Sequence, residues 1–250
     1  MSGSAPMFPI SDDNPTRITP VVTWTLIGLC VLVFLWQFSL GARAGQLAVF
    51  SYGMIPARVF GTARLPEELA HVPAALTVIT SMFMHGGWLH LGGNMLYLWI
   101  FGDNVEESMG HGRYIVFYLL CGVAAAMTQG LLSPGSKVPM VGASGAISGV
   151  LGAYLLLHPF ATVRVLVILI VFITLIHVPA LLVLCFWFAA QLFSAAATPA
   201  GQPGLAFWAH VGGFVAGVAL VPIFKQAGVP LMQRARSRAF EVERTRGPWG

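Results

Sequence analysis

A serine and a histidine stand at matching positions in two apolar stretches that are distant in the sequence. Ser144 lies a few residues after Pro139, near the start of one stretch, and His210 lies a few residues after Gly204, near the start of another. If both stretches enter a membrane from the same face, the two side chains lie at the same depth, as a serine nucleophile and its histidine base require. Each residue also has a structural alternative: a helix serine often bonds its own helix carbonyl, and a helix histidine often pairs with a neighbouring helix.

Two further polar side chains lie four residues apart on a third apolar stretch. This spacing puts His90 and Asn94 on one face of one helix, and both side chains can donate a hydrogen bond to an oxyanion that develops during a reaction. His85 lies five residues before His90 and is therefore rotated away on that helix. We expect His90 and Asn94 to serve the oxyanion and His85 to support a loop.

Glycines accompany the serine and the histidine. Gly145 and Gly149 have the spacing of a small-residue face beside the serine, and Gly213 and Gly217 form a second such face after the histidine. These faces allow two helix backbones to approach closely, which a hydrogen bond between the serine and the histidine needs. The alternative is that they are general packing devices of membrane helices.

The acidic residues exclude several kinds of intramembrane chemistry, because none lies in the middle of an apolar stretch. An aspartyl protease of the membrane, a Ser-His-Asp triad and a carboxylate proton relay all need such residues. A zinc protease of the HExxH type is excluded because Gly86 follows His85. The cysteines have no CxxC spacing, so we predict no metal site, no disulfide and no cofactor. The nine acids are Asp12, Asp13, Glu67, Glu68, Asp103, Glu106, Glu107, Glu241 and Glu243.

The composition is that of a polytopic membrane protein. The chain has 250 residues, of which 57% are hydrophobic and only 9% are charged, whereas soluble domains carry about 25% charged residues. The mean hydropathy is +0.80. Many basic residues follow position 224, where membrane orientation explains them, so nucleic-acid binding is disfavoured.

The apolar stretches predict an all-α fold, a transmembrane bundle of six helices over residues 21–224. About 20 helical residues are needed to cross about 30 Å of hydrocarbon. We expect a disordered cytoplasmic lead over 1–20 and a basic cytoplasmic tail over 225–250. The apolar interval 165–177 is predicted to be a re-entrant or interfacial segment, with a seventh span as the alternative. The six spans are predicted near 21–40, 78–102, 114–132, 143–158, 178–196 and 206–224.

The distribution of arginine and lysine predicts that both termini are cytoplasmic. With six spans, nine of these residues lie inside and four outside. A cleavable signal peptide is disfavoured, although Ala42-Arg43-Ala44 resembles a cleavage site, because the first apolar run is long. The inside residues are Arg17, Arg113, Arg164, Lys225, Arg234, Arg236, Arg238, Arg244 and Arg246, and the outside residues are Arg43, Arg58, Arg64 and Lys137.

The motifs occur in a particular order along the chain. They are His85-x4-His90-x3-Asn94, then Gly102-Asp103-Asn104-Val105-Glu106 with Gly110, then Gly142-Ala143-Ser144-Gly145, then Ala209-His210-x2-Gly213-x3-Gly217. In this order, over about residues 20–224, they resemble the rhomboid family of intramembrane serine proteases.

The resemblance implies a cavity open to water at the outer face and a serine endopeptidase that cleaves membrane protein substrates near that face. It implies that Ser144 is the nucleophile, that His210 is the general base, and that His90, Asn94 and Gly142 bind the oxyanion or substrate. The implied partners are single-span or polytopic membrane proteins and the lipid bilayer, without a metal or nucleic acid. The expected location is a bacterial inner membrane.

Two features depart from the family pattern. Members often carry Trp-Arg in the first outer loop, and residues 41–77 contain no such pair. Many members have a tyrosine four residues after the nucleophile, where this chain has Ser148. The anchoring of that loop and the orientation of His210 therefore need another explanation.

Two other functions are alternatives to proteolysis. The first is a catalytically silent rhomboid-like scaffold that binds membrane clients, although such relatives typically lack the serine or the histidine, and both are present here. The second is a small-solute transporter, which is disfavoured because the sequence shows neither midplane charges nor broken, inverted-repeat helices.

Overall fold

The computed structural model describes residues 7–169, 172–197 and 206–234, and this part of the chain is mostly helical. Short 3-10 turns occur at Glu67–Leu69 and Ala74–Leu76. The helices are α1 (Val21–Ser39), α2 (Gly41–Tyr52), α3 (Pro56–Val59), α4 (Thr77–Thr80), α5 (Trp88–Met109), α6 (His111–Leu132), α7 (Ser144–Leu157), α8 (Ala180–Ala197) and α9 (Phe207–Phe224). The strands are β1 (Met7–Asp12), β2 (Thr162–Leu169) and β3 (Phe172–Pro179).

Within these described ranges, four helices are long and apolar enough to cross a membrane: α1, α6, α8 and α9. The apolar helix α7 has 14 residues, so at 1.5 Å per residue it is only about 21 Å long. Helix α5 has 22 residues, and it carries polar side chains along its length.

The second predicted span differs from the helix that the structure contains. Residues 78–102 were expected to be one helix, but α5 begins at Trp88 and continues to Met109, while Thr77–Thr80 form the separate helix α4. The interruption contains Gly86 and Gly87, and Gly87 has extended backbone with φ 161°. Because glycine loses the most conformational freedom in a helix, two in succession favour a break.

A three-stranded antiparallel sheet corrects the all-α prediction. The strands lie in the order β1-β2-β3, so the described residues of the interval 165–177, which was predicted to be re-entrant or interfacial, belong to the paired strands β2 and β3. In β2, Val163 and Val165 are buried while Arg164 between them is exposed, and this alternation with β-branched residues is typical of a strand. Residues 7–12 were expected to belong to a disordered lead, but they pair with β2.

Helix α7 lies at the centre of the bundle, and its backbone meets that of α9. A Cβ built on Gly213 would lie 2.0 Å from the carbonyl oxygen of Gly145, and one on Gly217 would lie 2.0 Å from that of Gly149. No side chain fits at such distances, so only glycine allows the two helices to approach this closely. The contact begins at Gly145, the residue that follows Ser144, the first residue of α7.

The carboxylate of Glu106, which is fully buried, joins α5 to the first turn of α1. It accepts the amide protons of Val22 and Thr23, at 2.9 and 2.8 Å, and the hydroxyl proton of Thr23 at 2.7 Å. The Nδ1 atom of His111 lies 2.6 Å from the same carboxylate. The unpaired amides of a helix N-terminus favour a negative charge, so the position of Glu106 fixes α1 against α5.

Asp12 joins the sheet to the bundle. Its carboxyl group accepts a hydrogen bond from the hydroxyl of Tyr154 and another, at 3.3 Å, from the amide of Asn104. Burial raises the pKa of Asp12 from 3.8 to about 7. The hydrogen bond from Tyr154 lowers this pKa, and the nearby charges of Asp103 and Asp13 raise it further. The pKa of Asp12 is higher in the folded protein than in the unfolded chain. The stability that its neutral carboxyl group contributes is therefore complete below the pKa of the unfolded chain and is lost as the pH rises through about 7.

The helix contact predicts a difference between two glycine substitutions. Gly217→Ala should lower the free energy of unfolding by at least about 1–3 kcal/mol, the usual cost of overpacking, because its Cβ meets backbone rather than a movable side chain. Gly28→Ala in α1 is the matched control, since nothing lies within 4 Å of its Cβ, and it should be neutral or stabilising by about 0.5–1 kcal/mol. Thermal unfolding in detergent compares the variants, and equal midpoints would contradict the contact.

Candidate active site

The hydroxyl of Ser144 and the ring of His210 are hydrogen-bonded. Ser144 is the first residue of α7 and His210 lies in the first turn of α9, and the Oγ and Nε2 atoms are 2.9 Å apart. His210 is buried, with 8% of its surface exposed. The two residues, 66 positions apart in the sequence, are therefore within the distance at which a serine can transfer its proton to a histidine.

The other ring nitrogen of His210 has a partner that the sequence analysis missed. Nδ1 lies 2.7 Å from Oε1 of Gln191 in α8. The ring of Trp187, one turn earlier in α8, lies 6.1 Å from the imidazole, and that of Phe207 lies 6.4 Å from it. A glutamine inside an apolar run, four residues after a tryptophan, is the signal in the sequence that could have found this site.

Ser148 does not replace the tyrosine of the family pattern, because its hydroxyl turns to its own helix. Its Oγ donates to the carbonyl of Ser144 at 2.6 Å, which is the usual bond of a helix serine. The orientation of His210 therefore comes from α8, through the contacts with Gln191 and Trp187.

His90 and Asn94 lie beside the segment that leads to Ser144. A Cβ built on Gly142 would lie 2.7 Å from Nε2 of His90 and 3.6 Å from Nδ2 of Asn94. Nδ1 of His90 accepts the Gly86 amide at 3.2 Å, so a neutral ring carries its proton on Nε2, which faces Gly142. The buried Nδ2 of Asn94 has no hydrogen-bond partner in the described structure. Two donors thus lie next to the backbone that precedes the serine.

Gly142 is required by its conformation and by its neighbours. Its φ of +124° is rarely adopted by other residues, and any Cβ would collide with His90. Its own amide donates to the carbonyl of Ser81 at 2.9 Å, so this amide is not a free donor. The strand-like pairing of Met54 with Met140, with N–O distances of 3.0 and 2.8 Å, holds the same segment from the other side.

His85 lies in the loop before α5 and not on that helix, which corrects the expected geometry. It is fully buried, its Nδ1 lies 3.2 Å from the carbonyl of Phe83, and its ring packs edge-on against His90 at 5.2 Å. The amide of Gln37 in α1 donates to the His85 carbonyl at 2.9 Å. These contacts make His85 part of the packing that holds the loop and His90.

Arg58 anchors the first loop, for which the sequence offers no Trp-Arg pair. Its guanidinium donates to the carbonyl oxygens of Ser51, at 3.4 Å, and Val72. The rings of Tyr52 and His71 stack near it, 6.0 Å apart. An arginine is thus used after all, but without an adjacent tryptophan.

A cavity of about 240 Å³ connects these residues, and its lining includes Ser144, His210, His90, Gly142 and Gln129. Among the residues that the structure describes, no group of three or more histidine, cysteine or acidic side chains is placed to hold a metal ion. The reacting groups at this cavity are therefore a hydroxyl and an imidazole, with amide and imidazole donors nearby.

The family profile described as the rhomboid domain matches residues 73–227, which include the serine, both histidines of the cavity and the asparagine. The chain belongs to the rhomboid family. Rhomboid proteins are membrane proteins and include serine proteases, so membership supports the terms rhomboid, protease and transmembrane for this chain.

Three relatives show the range of the family. The chain is 41% identical over 78 residues to "Rhomboid protease GluP" of Bacillus subtilis (strain 168), and the aligned residues make up 31% of this chain and 15% of the relative. It is 42% identical over 77 residues to "Rhomboid-like protein 11, chloroplastic" of Arabidopsis thaliana, 31% of this chain and 27% of the relative. It is 30% identical over 105 residues to "Inactive rhomboid protein 1" of Drosophila melanogaster, 42% of this chain and 7% of the relative.

The matches span well under half of each of these relatives, and they differ in activity and location. Because a chloroplastic protein is among them, the family alone does not support the bacterial inner membrane expected from the sequence. Because an inactive protein is among them, activity must be argued from the residues of this chain.

Proposed function

We propose that this protein is an intramembrane serine endopeptidase that hydrolyses peptide bonds of transmembrane protein substrates with a Ser-His dyad. The observation that carries the proposal is the 2.9 Å contact between Ser144 Oγ and His210 Nε2 at the edge of a cavity. A nucleophile within hydrogen-bond reach of a base that a third group orients is the arrangement that covalent catalysis uses.

The dyad acts in two steps. In the first, Ser144 Oγ attacks the carbonyl carbon of the scissile bond while Nε2 of His210 takes the hydroxyl proton. The peptide C–N bond then breaks, the amine leaves with the proton from Nε2, and an acyl-enzyme ester remains. In the second step, water attacks the ester, Nε2 takes a proton from that water, and Ser144 Oγ leaves with this proton to release the acid product.

The oxyanion of each tetrahedral intermediate needs donors, and three are available. These are Nδ2 of Asn94, Nε2–H of His90 and the amide of Ser144, which belongs to the first turn of α7, where amides have no acceptor within the helix. The buried and unpartnered Nδ2 of Asn94 supports this assignment most strongly, because an orphaned donor is costly unless a ligand or intermediate uses it.

The proposal includes six spans, α1, α5, α6, α7, α8 and α9, with both termini in the cytoplasm. Two backbone contacts support the alternating course of these helices. The amide of Gln226, after α9, donates to the Ser108 carbonyl near the end of α5 at 2.9 Å, and the amide of Ala180, at the start of α8, donates to the Ala161 carbonyl after α7 at 2.8 Å. The other end of α7 holds Ser144. Since α7 spans only about 21 Å, its first residue lies below the membrane surface, where the cavity supplies water.

The alternative is a scaffold that binds membrane clients without cleaving them, as the likeness to a protein named inactive allows. The two functions make opposite predictions for a single experiment. Purified protein is incubated in detergent with a generic single-span substrate, and cleavage is followed by gel and mass spectrometry.

Substitution of either member of the dyad should abolish cleavage. Ser144→Ala and His210→Ala should be inactive, and the double variant should be no worse than either, because a nucleophile and its base act as a unit. Ser148→Ala is the matched control, one turn away on the same helix, and should retain turnover since its hydroxyl only bonds the Ser144 carbonyl. Turnover by folded Ser144→Ala, with contamination excluded, would overturn the mechanism, and absence of cleavage by the wild type would favour the scaffold.

The oxyanion assignment predicts a smaller loss than removal of the nucleophile. Asn94→Ala should lower kcat by about 10²–10³, the usual effect of one oxyanion donor, with KM little changed because the charge exists only around the transition state. Single-turnover and steady-state kinetics beside Ser144→Ala measure the difference, and thermal unfolding monitors the fold. A wild-type kcat in the Asn94 variant, whether KM is unchanged or higher, would show that Asn94 does not bind the oxyanion.

A further inference from the structure

We propose that Gln191 is a positioning residue that holds His210 in the tautomer able to act as a base. The inference rests on the proposed function, because it assigns to α8 the task of orienting the histidine of the dyad. The hydrogen-bond partners of the two ring nitrogens in the described structure are Ser144 on Nε2 and Gln191 on Nδ1.

The chemistry of the contact selects one proton position. The atom of Gln191 that lies 2.7 Å from Nδ1 is the amide oxygen, and an amide oxygen only accepts. Nδ1 therefore donates, and the neutral imidazole leaves Nε2 without a proton and with its lone pair directed at the Ser144 hydroxyl. When Nε2 takes the serine proton, the Nδ1–H···O bond becomes a hydrogen bond from a cation and strengthens.

A neutral amide is suited to this place. The third member of a Ser-His-Asp triad is a buried carboxylate, which holds the tautomer and the orientation of the histidine. An unpaired buried charge costs far more than a hydrogen-bonded amide. Helix α8 is long and apolar enough to cross a membrane, and its buried residues are Ala180, Leu184 and Ala195. Gln191 thus gives the orientation without bringing a charge into the bilayer.

The aromatic side chains around α8 and α9 fix the distance between glutamine and histidine. Trp187 and Gln191 are four residues apart, and hence on one face of α8. The ring of Trp187 lies 6.1 Å from that of His210, and the ring of Phe188 stacks on Phe214 in α9 at 4.4 Å. The glutamine is therefore delivered by a packed helix face and not by a free loop.

The first test compares three substitutions in α8 by cleavage of a single-span substrate in detergent. Gln191→Met keeps the length of the side chain and removes the acceptor, so kcat should fall about 10- to 100-fold, the worth of a hydrogen bond to a charged group, while KM stays unchanged. Gln191→Glu keeps an oxygen acceptor beside Nδ1, and its carboxylate pairs with the imidazolium that forms when Nε2 takes the serine proton, so it should recover most of the loss. Leu192→Met is the control on the exposed side of α8 and should be indistinguishable from wild type.

Wild-type kcat in Gln191→Met would overturn the proposal, because the acceptor would then be unnecessary. Equal losses in Gln191→Met and Gln191→Glu, accompanied by lower thermal midpoints, would also overturn it and show a role in packing alone.

The second test reads the tautomer without any substrate, so it separates this inference from the proposed function. Nitrogen-15 NMR of histidine-labelled protein, with the His210 signals identified by their loss in His210→Ala, should show a proton on Nδ1 in the wild type. Gln191→Met should shift the ring toward the Nε2–H form or toward a mixture. If the wild-type ring is protonated on Nε2, the inference is overturned, whatever the result of the cleavage assay. If the ring is protonated on Nδ1 in a protein that does not cleave substrate, the inference stands and the proposed protease function is contradicted.

Discussion

The site depends on the direct contact between the backbones of α7 and α9. Gly213 and Gly217 lie against the carbonyl oxygens of Gly145 and Gly149 at distances that leave no room for a side chain. Between two membrane helices, lipid offers no hydrophobic gain, so close packing of small residues is a main source of association. The same approach brings the first turn of α9 to the first residue of α7, and the 2.9 Å bond between His210 and Ser144 follows from it.

The remaining helices supply what this pair lacks. Helix α5 brings an imidazole and an amide to the segment before the serine, and Gly142 makes room for them because it has no Cβ atom. Helix α8 brings Gln191 to the Nδ1 atom of His210. Residues 133–143 have irregular backbone between α6 and α7, and several of them line the cavity. The described residues that line the cavity include no aspartate, glutamate, lysine or arginine.

The sequence predicted those parts that follow from residue type and local spacing. The mostly helical fold and the family follow from apolar runs and from motifs around Ser144 and His210, and the glycine faces predicted the close helix contact. Spacing along one helix gave the wrong geometry for His85, because the helix begins only at Trp88, after the Gly86-Gly87 pair. The sheet was missed because an apolar run of β-branched residues, such as Val163 and Val165, reads equally as a strand or as a buried helix.

Gln191 is visible in the sequence as a polar residue inside an apolar run, but its partner His210 is not, because the two residues are 19 positions apart on different helices and only tertiary packing joins them. Arg58 likewise reaches carbonyl groups of a loop whose path cannot be read from local pattern. A contact between residues that are distant in the sequence leaves no regular spacing along the chain, whereas the apolar face of a helix does.

The central claim, that His210 activates Ser144 as a nucleophile, is tested most directly by the site of reaction with a fluorophosphonate. Such a probe forms a bond between phosphorus and a serine oxygen, releases fluoride and requires an activated hydroxyl. Mass spectrometry of the labelled wild type should place the adduct on Ser144, and His210→Ala, folded to the same thermal midpoint, should remain unlabelled. An adduct on another serine, or equal labelling of Ser144 with and without His210, would contradict the account.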